Sequence, residues 1–187
     1  MKRIAIVGNI ASGKSTVDDL IQEAGYKTLC TDNAVHKLYT EPDVQDKIYD
    51  AFETIDRSEI AQIVFSDNSK KEELEKILHP LVKEKIFDFF SVNKKEKLLF
   101  VIIPLLFEAN MENLFDCIIF ISSDENIRLN RLMKRNNLKE SDAKVRIKAQ
   151  MPESAKIPRA DFVVENNSDL ISLKNNLQKV LEKLNED

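Results

Sequence analysis

The sequence predicts a three-layer α/β/α fold with a central parallel sheet, and three observations carry that prediction. Apolar runs at residues 4–7, 98–103 and 117–121 are short enough for strands and are separated by segments of helical periodicity. The runs show no polar alternation, as expected of strands covered on both faces. The first leads directly into Gly8-Asn9-Ile10-Ala11-Ser12-Gly13-Lys14-Ser15, which fits the phosphate-loop pattern G-x-x-x-x-G-K-[ST].

A β-branched strand before that loop and the helical stretch from Thr16 to Glu23 behind it supply the strand, loop and helix order of a P-loop NTPase. The residue types follow from the physics. A backbone that wraps a phosphate must point its N–H groups inward, which requires conformations that Gly8 and Gly13 reach without a side chain in the way. Lys14 can meet the β and γ phosphates as a point charge, the Ser15 hydroxyl can ligate Mg²⁺, and the next helix turns its positive end to the anion. At average glycine usage of roughly 7%, the fixed positions coincide by chance in well under about 1% of chains this long. This chain has three glycines, two of them in the loop, so a bland turn is the weaker reading.

Composition bounds the rest. With 187 residues the chain suits one globular domain with room for an insertion. A net charge of −4 argues against a nucleic-acid partner, so an anionic substrate must be held by local cations. Cys30 and Cys117 read as reduced thiols, and His36 and His79 are too few for a metal cluster. Few apolar residues precede the loop, too few for a secretion signal, and the longest apolar run, 98–107, contains Pro104 and is too short for a bilayer. The expectation is a cytoplasmic protein without membrane or nucleic-acid partners, a monomer unless an oligomer that the sequence does not reveal intervenes.

In chain order, Gly25 stops the first helix and residues 26–31 read as a second strand ending at Asp32. In parallel sheets ligands collect at the carboxyl ends of strands, which would set Asp32 beside the phosphate loop. A carboxylate near the transferred phosphate and a helix N-cap are equally good readings of that residue. From Pro42 to about Asn93 only helical periodicity is present, and a stripe from Leu74 to Phe90 crosses Pro80, which should kink or restart the helix. His79 reads better as local packing than as a ligand contact. A helical block of this size exceeds what a crossover needs and reads as an inserted subdomain.

The run at 98–103 ends in Pro104-Leu105-Leu106-Phe107-Glu108, and the run at 117–121 ends in a helix entry, Ser122-Ser123-Asp124-Glu125. Arg128, Arg131 and Arg135 then share one helix face, with Leu129, Leu132 and Met133 largely off it. Such a row is usually solvated, but beside a phosphate loop a clamp on transferring phosphoryl groups is the better reading. A break at Asn136-Asn137 precedes a helix from about Ser141, Pro152 and Pro158 bracket an irregular stretch, and 161–164 reads as the last strand before a leucine-striped helix. The expected organisation is a single domain with core 1–33, 97–123 and 160–187, a helical insertion 34–96 and a helical lid 124–159.

Taken in order, the loop, Cys30-Thr31-Asp32-Asn33-Ala34-Val35-His36, His79-Pro80, Pro104 to Glu108, Arg131 and Arg135, and Ala160-Asp161-Phe162-Val163-Val164-Glu165-Asn166-Asn167 resemble the dephospho-coenzyme A kinase family over nearly the whole chain. The resemblance implies transfer of the ATP γ-phosphoryl group to the ribose 3′-hydroxyl of dephospho-coenzyme A, the last step of coenzyme A biosynthesis. It assigns Gly8 through Thr16 to ATP, Lys14 to the phosphates, Ser15 to Mg²⁺, Arg131 and Arg135 to developing charge, and Asp32 to the hydroxyl proton. His79 and Glu108 would hold the acceptor or its wall of the cleft, and Asn166 the adenine side. By the same resemblance the chain is a kinase domain with 34–96 as its acceptor-binding insertion. The chain departs from the family pattern at Asn9 and Ala11, where glycines are common, and at Cys30, where an aspartate is. Ala11 should therefore occupy a glycine-like conformation. Alternatives are another small-molecule kinase acting on nucleosides or nucleotide monophosphates, a non-catalytic nucleotide-binding regulator, and a GTP switch, the last weakened by the absence of D-x-x-G and N-K-x-D.

Overall fold

In the computed structural model, which describes residues 1–186, strand β1 (Lys2–Val7) runs into the phosphate loop and helix α1 (Lys14–Glu23). Strand β2 (Lys27–Cys30) is followed by helices α2 (Thr31–Leu38), α3 (Pro42–Phe52), α4 (Arg57–Ser66) and α5 (Asn68–Val92). Then come β3 (Leu98–Ile102), β4 (Cys117–Ser122), α6 (Glu125–Asn136), α7 (Glu140–Lys148), the short α8 (Glu153–Lys156), β5 (Phe162–Glu165) and α9 (Leu170–Glu186). The strands form one sheet in the order β2-β3-β1-β4-β5, with β1 parallel to β3 and β4, and β4 parallel to β5. This is the three-layer α/β/α architecture expected from the sequence.

Strand β1 is central because residues Ile4 to Val7 have no polar side chain to offer water, and all are fully buried. Every residue of β3 is buried as well, which is what a continuous apolar run requires. The sheet order corrects one expectation: β3, not β2, is the neighbour of the loop strand β1, so Asp32 does not follow the adjacent strand. Nor does Asp32 end a strand or cap a helix. β2 stops at Cys30, which is the N-cap of α2, and Asp32 lies in that helix's first turn, where a carboxylate suits the helix dipole.

The chain separates into two units, Leu29–Val92 and the remainder, Met1–Thr28 with Asn93–Asp187. Within Leu29–Val92, α2, α3 and α4 all pack on α5. The buried face of α5 is Leu78, Val82, Ile86 and Phe90, spaced at i, i+4. Helix α5 continues through Pro80 instead of restarting. Proline leaves the carbonyl of Lys76 without its helical donor, but both residues are exposed, so water can take that place. Asp56 starts α4 by accepting from the backbone amides of Ser58 and Glu59.

Candidate active site

The phosphate loop is held open by backbone geometry that its residue types dictate. Gly13 sits at φ 103°, and a Cβ there would lie 2.1 Å from Nδ2 of Asn166. At Gly8 a Cβ would lie 2.6 Å from the carbonyl of Ile121. Ala11 adopts φ 61°, the left-handed conformation anticipated for it. Lys14 opens α1 and donates to the carbonyls of Gly8 at 2.7 Å and Asn9 at 3.1 Å, so its ammonium lies across the mouth of the loop. Ser15 and Thr16 complete the first turn of α1, with Ser15 exposed.

Two further elements lock onto this loop from the β4 and β5 ends. Asn166, buried just past β5, donates to the carbonyl of Ser12 at 2.7 Å and accepts from Arg131 at 3.3 Å. Arg131, on α6, also donates to Oγ of Ser123 at 3.2 Å, and that hydroxyl donates to the carbonyl of Asn166 at 3.0 Å. A cation on α6 is thus wired through one asparagine to the loop backbone. Arg128, one turn earlier, is buried; its Nε donates to the carbonyl of Ser123 at 2.9 Å and lies 3.3 Å from Glu153. Glu153 also accepts from Ser122 Oγ at 2.9 Å. Ser123, Arg128 and Glu153 line a cleft of about 590 Å³ together with Asn9, Lys148 and Gln150.

The three arginines on one face therefore have different surroundings. Arg128 is fixed in the structure, Arg131 reaches the loop network, and Arg135 is exposed, donating only to its neighbour Asn136 at 2.9 Å among the contacts described. Leu129, Leu132 and Met133 do pack elsewhere: Leu132 forms a cluster with Ala143 and Ile147, joined by Leu129, Met133 and Leu138. Glu108 lies 2.7 Å from the ammonium of Lys156, which is 1% exposed. Asp32 and His79 belong to the Leu29–Val92 unit; Asp32 is exposed on α2, and burial pushes the half-buried His79 imidazole below its usual range. In the same unit the guanidinium of Arg57 contacts His36 and lies 5.0 Å over the ring of Tyr39.

Sequence reading missed Gln150, Glu153 and Lys156. The irregular stretch around the prolines gives no periodic signal, and their partners, Ile10, Arg128 and Glu108, are distant in the chain.

Chemically, the site concentrates donors: loop amides, the helix α1 terminus, Lys14 and Arg131, an arrangement that holds a polyphosphate. The hard-cation test is the donor set. Among the described residues no group of three His, Cys, Asp or Glu could hold a metal ion. Ser15 offers one exposed hydroxyl beside the loop, which fits a Mg²⁺ that arrives with phosphate and water oxygens as its other ligands.

Residues 2–172 match the family model for dephospho-CoA kinase. Dephospho-CoA kinase from Listeria monocytogenes is 38% identical, with 90% of each chain covered, and that from Oceanobacillus iheyensis is 36% identical, with 97% of each covered. Among solved structures, a Thermus thermophilus protein matches with TM-score 0.85 and 34% identity, covering 98% of this chain and 97% of that one. Dephospho-CoA kinase from Campylobacter jejuni gives TM-score 0.72 at 30% identity with the same coverage. Shikimate kinase from Acinetobacter baumannii, at 14% identity and TM-score 0.62, covering 100% of this chain and 94% of its own, shares the fold alone. No helix among the described residues is long and apolar enough to cross a membrane.

Proposed function

The chain belongs to the dephospho-CoA kinase family, kinases that transfer phosphate to an alcohol, and from that premise we propose that it moves the γ-phosphoryl group of ATP to the ribose 3′-hydroxyl of dephospho-coenzyme A. The observation that carries the reading is the phosphate loop tied through Asn166 to Arg131, because a kinase needs a cation held in register with the donor phosphates.

In phosphoryl transfer the protein mainly positions reactants and stabilises charge. Residues Gly8 to Thr16 wrap the ATP phosphates with backbone amides. Lys14 exchanges contacts with the loop carbonyls for phosphate oxygens. Arg131 lies on the donor side through Asn166, which we assign to the adenine end, and Arg135 is free to swing toward the developing charge. Ser15 would hold Mg²⁺ together with phosphate oxygens, and the ion would supply charge neutralisation for the leaving ADP. Asp32 accepts the proton of the attacking hydroxyl. Glu108, His79 and the helical unit Leu29–Val92 receive the acceptor. The enzyme works as a cytoplasmic monomer in this reading.

The test is ADP and coenzyme A formation from ATP and dephospho-coenzyme A, run on the wild type and on Asp32→Asn. Turnover by the wild type with a loss of at least about a hundredfold in the variant supports the assignment, since general-base catalysis contributes about that much or more. Near-wild-type turnover in Asp32→Asn removes Asp32 from the mechanism.

A further inference from the structure

Two consecutive loop residues, Asn9 and Ile10, are each gripped by the residues that follow α7. Asn9 donates through Nδ2 to the carbonyl of Met151 at 3.1 Å. The backbone amide of Ile10 donates to Oε1 of Gln150 at 2.6 Å. The side chains of Ile10 and Ala11 pack against Leu132, Ala143 and Ile147, two of which lie on the buried face of α7. Gln150 is itself set just past the helix end, its amide donating to the carbonyl of Ile147 at 3.3 Å. Ala11, the residue next to this grip, is the one under strain. Ala11 holds φ 61°, where a residue with a Cβ is disfavoured, and such a conformation persists only when its surroundings over-determine it.

We propose that Gln150 is a positioning residue for the phosphate loop. By accepting the Ile10 amide it fixes the Asn9–Ile10 peptide, one residue before the left-handed turn at Ala11, and the turn in turn aims the amides of residues 13 to 15 at the ATP phosphates. The apolar grip of α7 on Ile10 and Ala11 seats the methyl that glycine would lack, while Gln150 supplies the direction. The loop geometry and the placement of α7 are thereby one coupled feature. The inference rests on the kinase reading only in taking ATP as the ligand.

The experiment compares Gln150→Met, which keeps the length but loses the acceptor, with Gln150→Glu, which keeps an acceptor oxygen, each in the wild-type and Ala11→Gly backgrounds. Equilibrium binding of MgATP, steady-state constants for both substrates and thermal midpoints are measured. Expected is about a fivefold weakening of ATP binding in Gln150→Met, as for loss of one hydrogen bond. The KM for dephospho-coenzyme A should not change, and Gln150→Glu, whose added charge faces the phosphates, should weaken ATP binding less than Gln150→Met at high salt, where that repulsion is screened. In the Ala11→Gly background the Gln150→Met effect should shrink to less than about twofold, because glycine takes the left-handed turn unaided.

Wild-type ATP affinity in Gln150→Met, equal weakening in Gln150→Glu at high salt, or an undiminished effect with glycine at position 11 would each overturn the proposal. If Gln150→Met fails to fold, Gln150→Ala, which also lacks the acceptor, carries the same comparison in the wild-type and Ala11→Gly backgrounds and decides it. ATP binding with the expected dependence but no coenzyme A formed by the wild type leaves Gln150 in place and sinks the function instead.

Discussion

The side-chain amide of Asn166 donates to the carbonyl of Ser12 at 2.7 Å, across 154 residues of sequence. Its nitrogen occupies the space that a Cβ at Gly13 would need, 2.1 Å away. The absent side chain at position 13 therefore serves two ends: a left-handed backbone at φ 103° and room for the residue that ties β5 to the loop. Gly13→Ala should cost both the strain, about 1–3 kcal/mol, and the collision. Asn166→Ala should cost about 1–3 kcal/mol by leaving a buried carbonyl without its donor. In the double variant the collision is gone, so the two losses should sum to less than their separate values. Urea unfolding of the four proteins measures this, and strict additivity would refute the shared-space explanation.

Lys156 and Glu108 are unequal partners. The ammonium is 1% exposed, whereas the Glu108 side chain retains 27% exposure. Removing the carboxylate strands a buried charge, so Glu108→Gln should lose roughly 3–5 kcal/mol of stability. Lys156→Met replaces the buried charge by an apolar chain of similar length and leaves a carboxylate that water can reach. That variant should stay within about 1.5 kcal/mol of wild type, and denaturant midpoints for the pair test the asymmetry. A larger loss for Lys156→Met than for Glu108→Gln would show that the ion pair itself, not the stranded lysine, sets the cost.

What could be read from the chain was whatever depended on neighbours in sequence. The loop pattern, the buried strands and the apolar positions of α6 are local, and even the left-handed Ala11 followed from where glycine usually stands. Pro80 shows the limit: its effect depended on whether the freed carbonyl faced water, which periodicity alone does not give. The rank of β2 in the sheet was equally hidden, because a strand's neighbours are chosen by long-range pairing. Gln150 and Lys156 carried no signal, since a polar side chain is legible as part of a site only with its partner, and theirs are Ile10 and Glu108. For the arginine row, spacing correctly put three residues on one face but did not distinguish the buried Arg128 from the exposed Arg135.

That distinction yields a kinetic prediction. Arg131 is bonded to Ser123 and Asn166, so Arg131→Ala should weaken ATP binding and lower the thermal midpoint together. Arg135 is exposed, and its loss should leave stability within about 0.5 kcal/mol. If Arg135 closes on the transferring group, Arg135→Ala should lower kcat at least about tenfold while ATP affinity hardly moves. An unchanged kcat would take Arg135 out of the reaction and leave Arg131 as the clamp.

At the opposite end of β1, the backbone amide of Arg3 and its Nε donate to one carboxylate oxygen of Asp116 at 2.8 and 2.9 Å, and Nη2 donates to the other. These bonds, the side-chain ones foremost, hold the Asp116 carboxyl below its ordinary range. The sign follows directly. A carboxyl whose folded pKa is depressed stabilises the fold above its unfolded pKa, about 3.9, and that contribution fades as pH falls toward the folded value. Both side chains are about a third exposed, 32% and 37%, so solvent screening keeps the effect modest. Asp116→Asn should therefore unfold at a lower urea concentration than wild type at pH 7. The gap should stay open at pH 5 and narrow below about pH 4, as the wild-type carboxyl gains its proton and the variant has none to gain. A gap that stays constant down to pH 3 would assign the loss to altered packing or hydrogen-bond geometry instead of the ionised pair.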